Sequence, residues 1–253
     1  GDAGFLLALG LAANWLGSFE WHVINQPGAL TLVNTHLLVL GFVVAALAKS
    51  AQLPFTPWIA RALEGPTPSS AIFYGAVMVH AGVYLLLRIS PLLAQVPDVM
   101  IPLAAVGLLT AIYAWLCGLV QTDVKSALIF ATVFQVALMV VAIGFGWTTL
   151  AAFHLGLHAA WRTWQFLLAP SWLALTHARP APAPRWLRQH QWLYTAAMQR
   201  FWLDKLAIGL LVKPTLSFSQ DVRGLEENFI DRLLGEPGKG KPVHAERPLV
   251  VAD

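Results

Sequence analysis

Charge is what this sequence of 253 residues has least of: Asp, Glu, Lys and Arg make up 11% of it. An average soluble domain carries roughly 25%. The shortfall excludes a disordered chain, a nucleic-acid binder and an ordinary cytosolic enzyme. The formal net charge of +3 is too small, and too concentrated near the end of the chain, to make a phosphate-binding surface. Cysteine is nearly absent. Cys117 alone excludes an internal disulfide and any thiolate zinc site. No redox, nucleotide or metal motif occurs, so neither cofactor nor metal is expected. What is present is apolar: 57% of the residues are hydrophobic and the mean hydropathy is +0.64. This is the composition of a membrane protein.

A spanning helix needs about 20 mostly apolar residues. Six stretches approach or meet that length: 4–19, 30–48, 71–87, 100–120, 127–147 and 150–175. The predicted fold class is therefore all-α, a polytopic transmembrane helix bundle with amphipathic C-terminal helices. The predicted organisation is a bundle over 1–175, a Pro/Arg-rich linker over 176–191, interfacial and partner-docking helices over 192–235, and a disordered polar tail over 236–253. The first stretch starts almost at residue 1 and has neither the basic region nor the small-residue cleavage site of a signal peptide. It reads as a helix whose chain continues upstream, in a fragment or one piece of a split protein. Arg179, Arg185 and Arg188 follow the sixth stretch and place that end in the cytoplasm, with the loops of Lys125 and Arg61 on the same side. Beyond the linker, 192–212 reads as one interfacial helix, because Arg200, Asp204 and Lys205 interrupt its apolar run. Leu225, Phe229, Ile230, Leu233 and Leu234 recur at helical spacing and suit a short docking helix.

Charged side chains at membrane depth cost about 2.5–3.5 kcal/mol on insertion scales and are functional candidates by default. Lys49 ends an apolar run and is followed by Pro54 and Pro57, which cannot donate backbone hydrogen bonds. A helix break is expected there, and a lysine beside a broken helix is a way to build a polar site at depth. Alternatively, Lys49 snorkels to the headgroups. His80 sits in the middle of 71–87, and His36 in 30–48; each imidazole needs a partner. His154, His158 and Arg162 are spaced by four and share one helix face. Neutral imidazoles can pass protons, since one ring nitrogen accepts while the other donates; Arg162 stays charged and would set the field. Haem is a competing reading of paired histidines, although residues four apart on one face cannot grip one iron from opposite sides. Asp123 and Lys125 flank the start of the fifth stretch, and Gln135 is polar at mid-membrane depth.

Lys49-Ser50-Ala51-Gln52-Leu53-Pro54, Trp58, Gly65-Pro66-Thr67-Pro68, Ser70-Ala71 and Ala81-Gly82-Val83-Tyr84-Leu85 together resemble the signature of the proton-conducting antiporter-like family. The likeness continues through Val120-Gln121-Thr122-Asp123-Val124-Lys125 and Phe153-His154 to His158. That family includes chain 5 of NADH:quinone oxidoreductase, the large subunits of Mrp-type antiporters and DabB-type subunits of inorganic carbon pumps. The resemblance implies that Lys49 holds a proton beside the broken helix, and that Lys125, His154 and His158 belong to a hydrated polar axis. Four departures stand out. Tyr74 occupies a position that is often histidine in the family, while His80 stands where threonine is usual. Arg162 replaces a common lysine. The glutamate that would pair with Lys49 would lie upstream of Gly1, and the chain passes to its terminal segment without the further spans of chain 5. The expected function is proton translocation that energises a larger partner docked on the cytoplasmic side of a bacterial inner membrane. A DabB-type carbon-uptake subunit is the first expectation and a respiratory chain-5 subunit the alternative; a structural anchor for an enzymatic partner is the reading from another class. The expected proton path is Lys49, Lys125, His154, His158, Arg162 and His80, with the helix break at Pro54 and Pro57.

Overall fold

Within hydrocarbon every backbone N–H and C=O must find a partner inside its own segment, and each long apolar run here is helical. The computed structural model describes residues 1–61, 67–176 and 182–234. Six long helices come first: α1 (Asp2–Leu16), α2 (Leu32–Lys49), the irregular α3 (Pro68–Arg88), α4 (Pro97–Gly118), α5 (Val124–Gly144) and α6 (Thr148–Thr176). Among the described residues α2, α3, α4 and α5 are each long and apolar enough to cross a membrane, and none of the described residues is in a strand. At 15 residues α1 is short of a full span. At 29 residues α6 is the longest helix, and His154, His158, Arg162 and Gln165 lower its hydropathy. The protein is an all-α, multi-pass membrane bundle.

Local sequence explains where these helices begin and how closely they approach. Thr31 caps α2, its hydroxyl accepting from Asn34 N at 3.3 Å, and Asp123 caps α5, its carboxylate accepting from Ser126 N at 2.7 Å. Helices α4 and α5 pack through small residues: a Cβ on Gly107 would lie 2.9 Å from Ala137 O, and one on Gly144 would lie 2.6 Å from Ala104 Cβ. Small residues at such crossings let backbones meet where no hydrophobic effect drives association. Between α2 and α3 the same role falls to Gly82, whose added Cβ would collide with Ala46 O and Ser50 Oγ. Phe42, Val83, Ile129, Val133, Val140 and Phe166 are buried in the core between these helices.

The chain divides into two compact units, Gly1–Asp204 and Lys205–Asp253. Within the first unit, Arg185–Gln189 and α7 (Gln191–Met198) follow α6. Leu187 and Ala197 pack with Leu116 of α4 and with Val120 just beyond its end, and Trp186 stacks on Trp115 with ring centroids 5.7 Å apart. The expected single helix over 192–212 is broken: Arg200, Phe201 and Trp202 all have positive φ, and a π-helical turn covers Ile208–Val212. Hydrophobic periodicity alone could not register that reversal of handedness. The second unit contains that π turn and α8 (Lys213–Leu234), into which the expected short helix around Leu225–Leu234 is absorbed. The expected tail over 236–253 and residues 177–181 of the expected linker over 176–191 lie outside the described residues.

Candidate functional site

The break after Lys49 is built by side chains that replace missing backbone bonds. Helix α2 ends at Ser50, and Ala51 follows with φ of 50°. The helix thus ends ahead of Pro54, and a short helical turn resumes at Pro57–Arg61. The exposed carbonyls and amides find local partners: Gln52 Nε2 donates to Ser50 O at 2.9 Å, Trp58 Nε1 to Ala48 O at 2.9 Å, and Leu53 N to Thr110 Oγ1 of α4 at 3.0 Å. Ser50 Oγ donates across to Val79 O of α3 at 2.8 Å. Lys49 therefore adjoins the residue that is hydrogen-bonded to the residue before His80. Its own ammonium pairs with Asp2 Oδ1 at 2.9 Å.

Helix α3 is irregular opposite that break. It runs through a π segment at Ala71–Ala76 and a 3₁₀ turn at Met78–His80 before regular helix resumes at Ala81–Arg88. Changes of helix type alter the register of the side chains and are frequent at functional positions. Here they accompany an inward-facing His80, which is 3% exposed and meets α6.

On α6 the four-residue spacing places His154, His158 and Arg162 along one stripe. His80 Nε2 lies 2.9 Å from His158 Nδ1, and Arg162 Nε donates to His158 Nε2 at 3.5 Å. Because arginine can only donate, His158 Nε2 is the acceptor and its proton sits on Nδ1. Nδ1–H then donates to His80 Nε2, which leaves the His80 proton on Nδ1. That nitrogen is buried with no hydrogen-bond partner. The result is a polarised chain, Arg162 to His158 to His80, whose inner end carries an unused donor. His154 forms a second arm, donating from Nε2 to Gln135 Oε1 of α5 at 2.9 Å, its ring centroid 6.0 Å from that of His158. An open pocket of about 320 Å³ lies against this stripe, lined by Gln135, His154, Leu157, His158, Trp161, Arg162 and Gln165.

The structure therefore unites His80, His154, His158 and Arg162, and sets Lys49 beside the break that touches the segment ending in His80. Lys125 is the second residue of α5, ten residues before Gln135, or about 15 Å along the axis at 1.5 Å per residue. His36 lies near the start of α2, bridging Leu32 O at 2.7 Å and Asp98 Oδ2 at 2.9 Å. Tyr74 packs against Trp58 with ring centroids 6.3 Å apart. Iron cannot sit between His80 and His158, since metal–imidazole bonds of about 2.0–2.1 Å on each side need more than the 2.9 Å observed. Two participants had little prior signal. Asp2 is a lone acid at the start of an apolar segment, and Gln165 is three residues beyond Arg162 on the same face.

Comparison with known proteins identifies the family. The family model described as NADH:quinone oxidoreductase/Mrp antiporter, TM, matches residues 1–211. NADH-ubiquinone oxidoreductase chain 5 of Metridium senile is 41% identical over 172 residues, covering 68% of this chain and 29% of that protein. The chain 5 of Branchiostoma lanceolatum is 38% identical over 173 residues, covering 68% and 28%. Among solved structures, the Mrp complex from Dietzia sp. DQ12-45-1b matches with a TM-score of 0.62 and 30% identity, over 65% of this chain and 19% of that one. The chain spans less than a third of the length of the curated relatives it matches.

Proposed function

Since the chain belongs to the NADH:quinone oxidoreductase/Mrp antiporter transmembrane family, we propose that it conducts protons within a larger membrane complex. The observation that carries this reading is the buried Arg162–His158–His80 hydrogen-bond chain between α6 and the irregular part of α3. A proton leaving His80 Nδ1 toward the α2 break is replaced at Nε2 by the proton of His158 Nδ1. His158 is then reprotonated at Nε2 from the pocket once Arg162 Nε swings aside. Rotation or tautomer exchange of both rings restores the starting state. Arg162 holds its charge throughout and acts as the gate on Nε2. Lys49 and the His154–Gln135 arm store and deliver protons at the two ends, and Lys125 lies farther out on the same route.

The relatives named above are respiratory and Mrp proteins, which supports a chain-5-type subunit energised by, or energising, a redox or antiport partner. A second reading, a DabB-type subunit driving inorganic carbon uptake, rests on Arg162, which stands where this family commonly has lysine. In either case the proposed setting is a bacterial inner membrane, with the C-terminal tail in the cytoplasm and a larger partner on that face. Purification in mild detergent, with mass spectrometry of the co-purifying subunits, separates the two readings. Quinone-reductase or antiporter subunits are expected for the first, and a single large soluble-faced partner with uptake of labelled inorganic carbon for the second. Loss of ion movement in Lys49→Ala with an intact complex supports conduction; full transport in that variant would leave only an anchoring role.

A further inference from the structure

Helix α2 packs mainly on α1 and α3, and α4 on α5. Among the described residues, two side-chain hydrogen bonds reach from α2 and its break to α4. One runs from Leu53 N to Thr110 Oγ1, at the break. The other joins His36, the fifth residue of α2, to Asp98, the second residue of α4. Thirteen residues separate His36 from Lys49, or about 20 Å at 1.5 Å per residue. Twelve separate Asp98 from Thr110. The two helices therefore run in the same direction and are tied at both ends of that interval. The proton path passes beside the tie at the break and gives the distal tie no part.

The distal tie fixes the protonation of its histidine. His36 Nδ1 lies 2.7 Å from Leu32 O, and Nε2 lies 2.9 Å from Asp98 Oδ2. A peptide carbonyl and a carboxylate oxygen only accept, so both ring nitrogens donate, and a ring with two N–H groups is an imidazolium. A neutral ring has one N–H. It gives up either the bond that fixes the ring on α2 or the bond that reaches α4, and in both cases the charge that attracts the carboxylate. The charged and histidine groups of the neighbouring elements are engaged elsewhere. Asp2 of α1 pairs with Lys49, Glu20 pairs with His22 at 3.0 Å, and His80 of α3 bonds to His158. The Arg88 guanidinium stands 5.6 Å from the centre of the Trp21 ring, and Lys125 lies in the first turn of α5, toward the other end of α4. Asp98 is the group whose charge acts on His36.

We propose that His36 and Asp98 form a pH-sensitive latch that braces the α2 break from about 20 Å away. The sign follows from the partners. The latch is closed while His36 is charged and Asp98 ionised, and it opens as rising pH removes the second ring proton. Strong acid opens it too, by protonating Asp98. With the distal tie open, the start of α4 parts from α2, and the bond from Leu53 N to Thr110 is strained at its end of the interval. The latch itself is independent of the histidine chain on α6; that it regulates conduction rests on the function proposed above.

Hydrogen exchange of the protein in its membrane complex, measured by mass spectrometry from pH 6 to pH 9, tests the latch. Parent, His36→Leu and Asp98→Asn are labelled side by side at each pH, so the intrinsic pH dependence of exchange cancels in the ratios. At pH 6, peptides covering the first two turns of α4 and the break at 50–57 should exchange at least threefold faster in His36→Leu than in the parent. That ratio should fall toward one by pH 9, and the ratio for Asp98→Asn should fall over the same range. Equal exchange at pH 6, a ratio that does not change with pH, or a change at the start of α4 that leaves the break untouched overturns the proposal. Because both residues sit near helix starts with partly exposed side chains, each variant is expected to fold, and either one alone decides the matter. Proton flux is measured separately on the same samples. Its absence from all of them would refute conduction, while the exchange ratios would still decide the latch.

Discussion

Gly82→Ala is the most informative single perturbation of the break. The added methyl would collide with Ala46 O and Ser50 Oγ and come within 2.8 Å of Ala46 C. Two of these three neighbours are backbone, which cannot swing away as a side-chain tip can. Relief requires α3 to withdraw from α2 by roughly 1 Å, at an overpacking cost of about 1–3 kcal/mol. The withdrawal also breaks the 2.8 Å bond from Ser50 Oγ to Val79 O, a net loss of about 0.5–1.5 kcal/mol. The sum, about 1.5–4.5 kcal/mol, corresponds to a fall in melting temperature of about 3–18 °C for a chain of this size. His80 is two residues from Gly82, so its 2.9 Å bond to His158 passes beyond hydrogen-bond range at the same displacement. The assay is thermal unfolding in detergent, followed by the fluorescence of the 11 tryptophans, with proton flux measured well below the melting temperature. Gly10→Ala is the control, because an added Cβ there meets nothing within 4 Å; it should leave both readouts unchanged or stabilise slightly. A Gly82→Ala protein that melts and conducts like the parent would refute the close-contact reasoning.

Other substitutions test separate links. Gly144→Ala should destabilise by about 1–3 kcal/mol, because its methyl would press on Ala104 backbone atoms at 2.7–2.8 Å; denaturant titration measures it, and Ala104→Gly, which removes only the Cβ contact, should leave most of the loss in place. Asp123→Ala removes the cap of α5 and should cost about 1 kcal/mol, read as faster hydrogen exchange over the first turn of α5 only. Lys49→Ala removes a pair with Asp2 that packs little of the bundle, the Asp2 side chain being 79% exposed. The melting temperature should therefore hold while proton flux falls at least tenfold, and a matching loss of stability would make Lys49 a structural residue.

Composition and apolar run length made the bundle legible, because burial in lipid demands helices and leaves few alternatives. The stripe of His154, His158 and Arg162 was equally legible, since a regular helix turns a four-residue spacing into a shared face. The partnership of His80 with His158 was not. It depends on an α3 that changes helix type twice, and on a crossing close enough to need Gly82, neither of which leaves a periodic mark. The prolines located the break to within a few residues. Its actual start at Ser50 depends on side chains of Gln52, Trp58 and Thr110, the last from a helix 57 residues away from Leu53. Lys125 joins the histidines through family likeness alone, since no periodicity relates the first turn of one helix to a stripe on another.

The central claim is that protons pass through His158. The complex containing this chain should be reconstituted in liposomes with a trapped pH dye and an imposed proton gradient, and the parent compared with His158→Gln. Glutamine keeps a buried donor and acceptor but cannot carry a proton between two ring nitrogens. The account predicts a loss of flux of at least tenfold with the complex intact and its melting temperature within a few degrees of the parent. Undiminished flux in His158→Gln would contradict it.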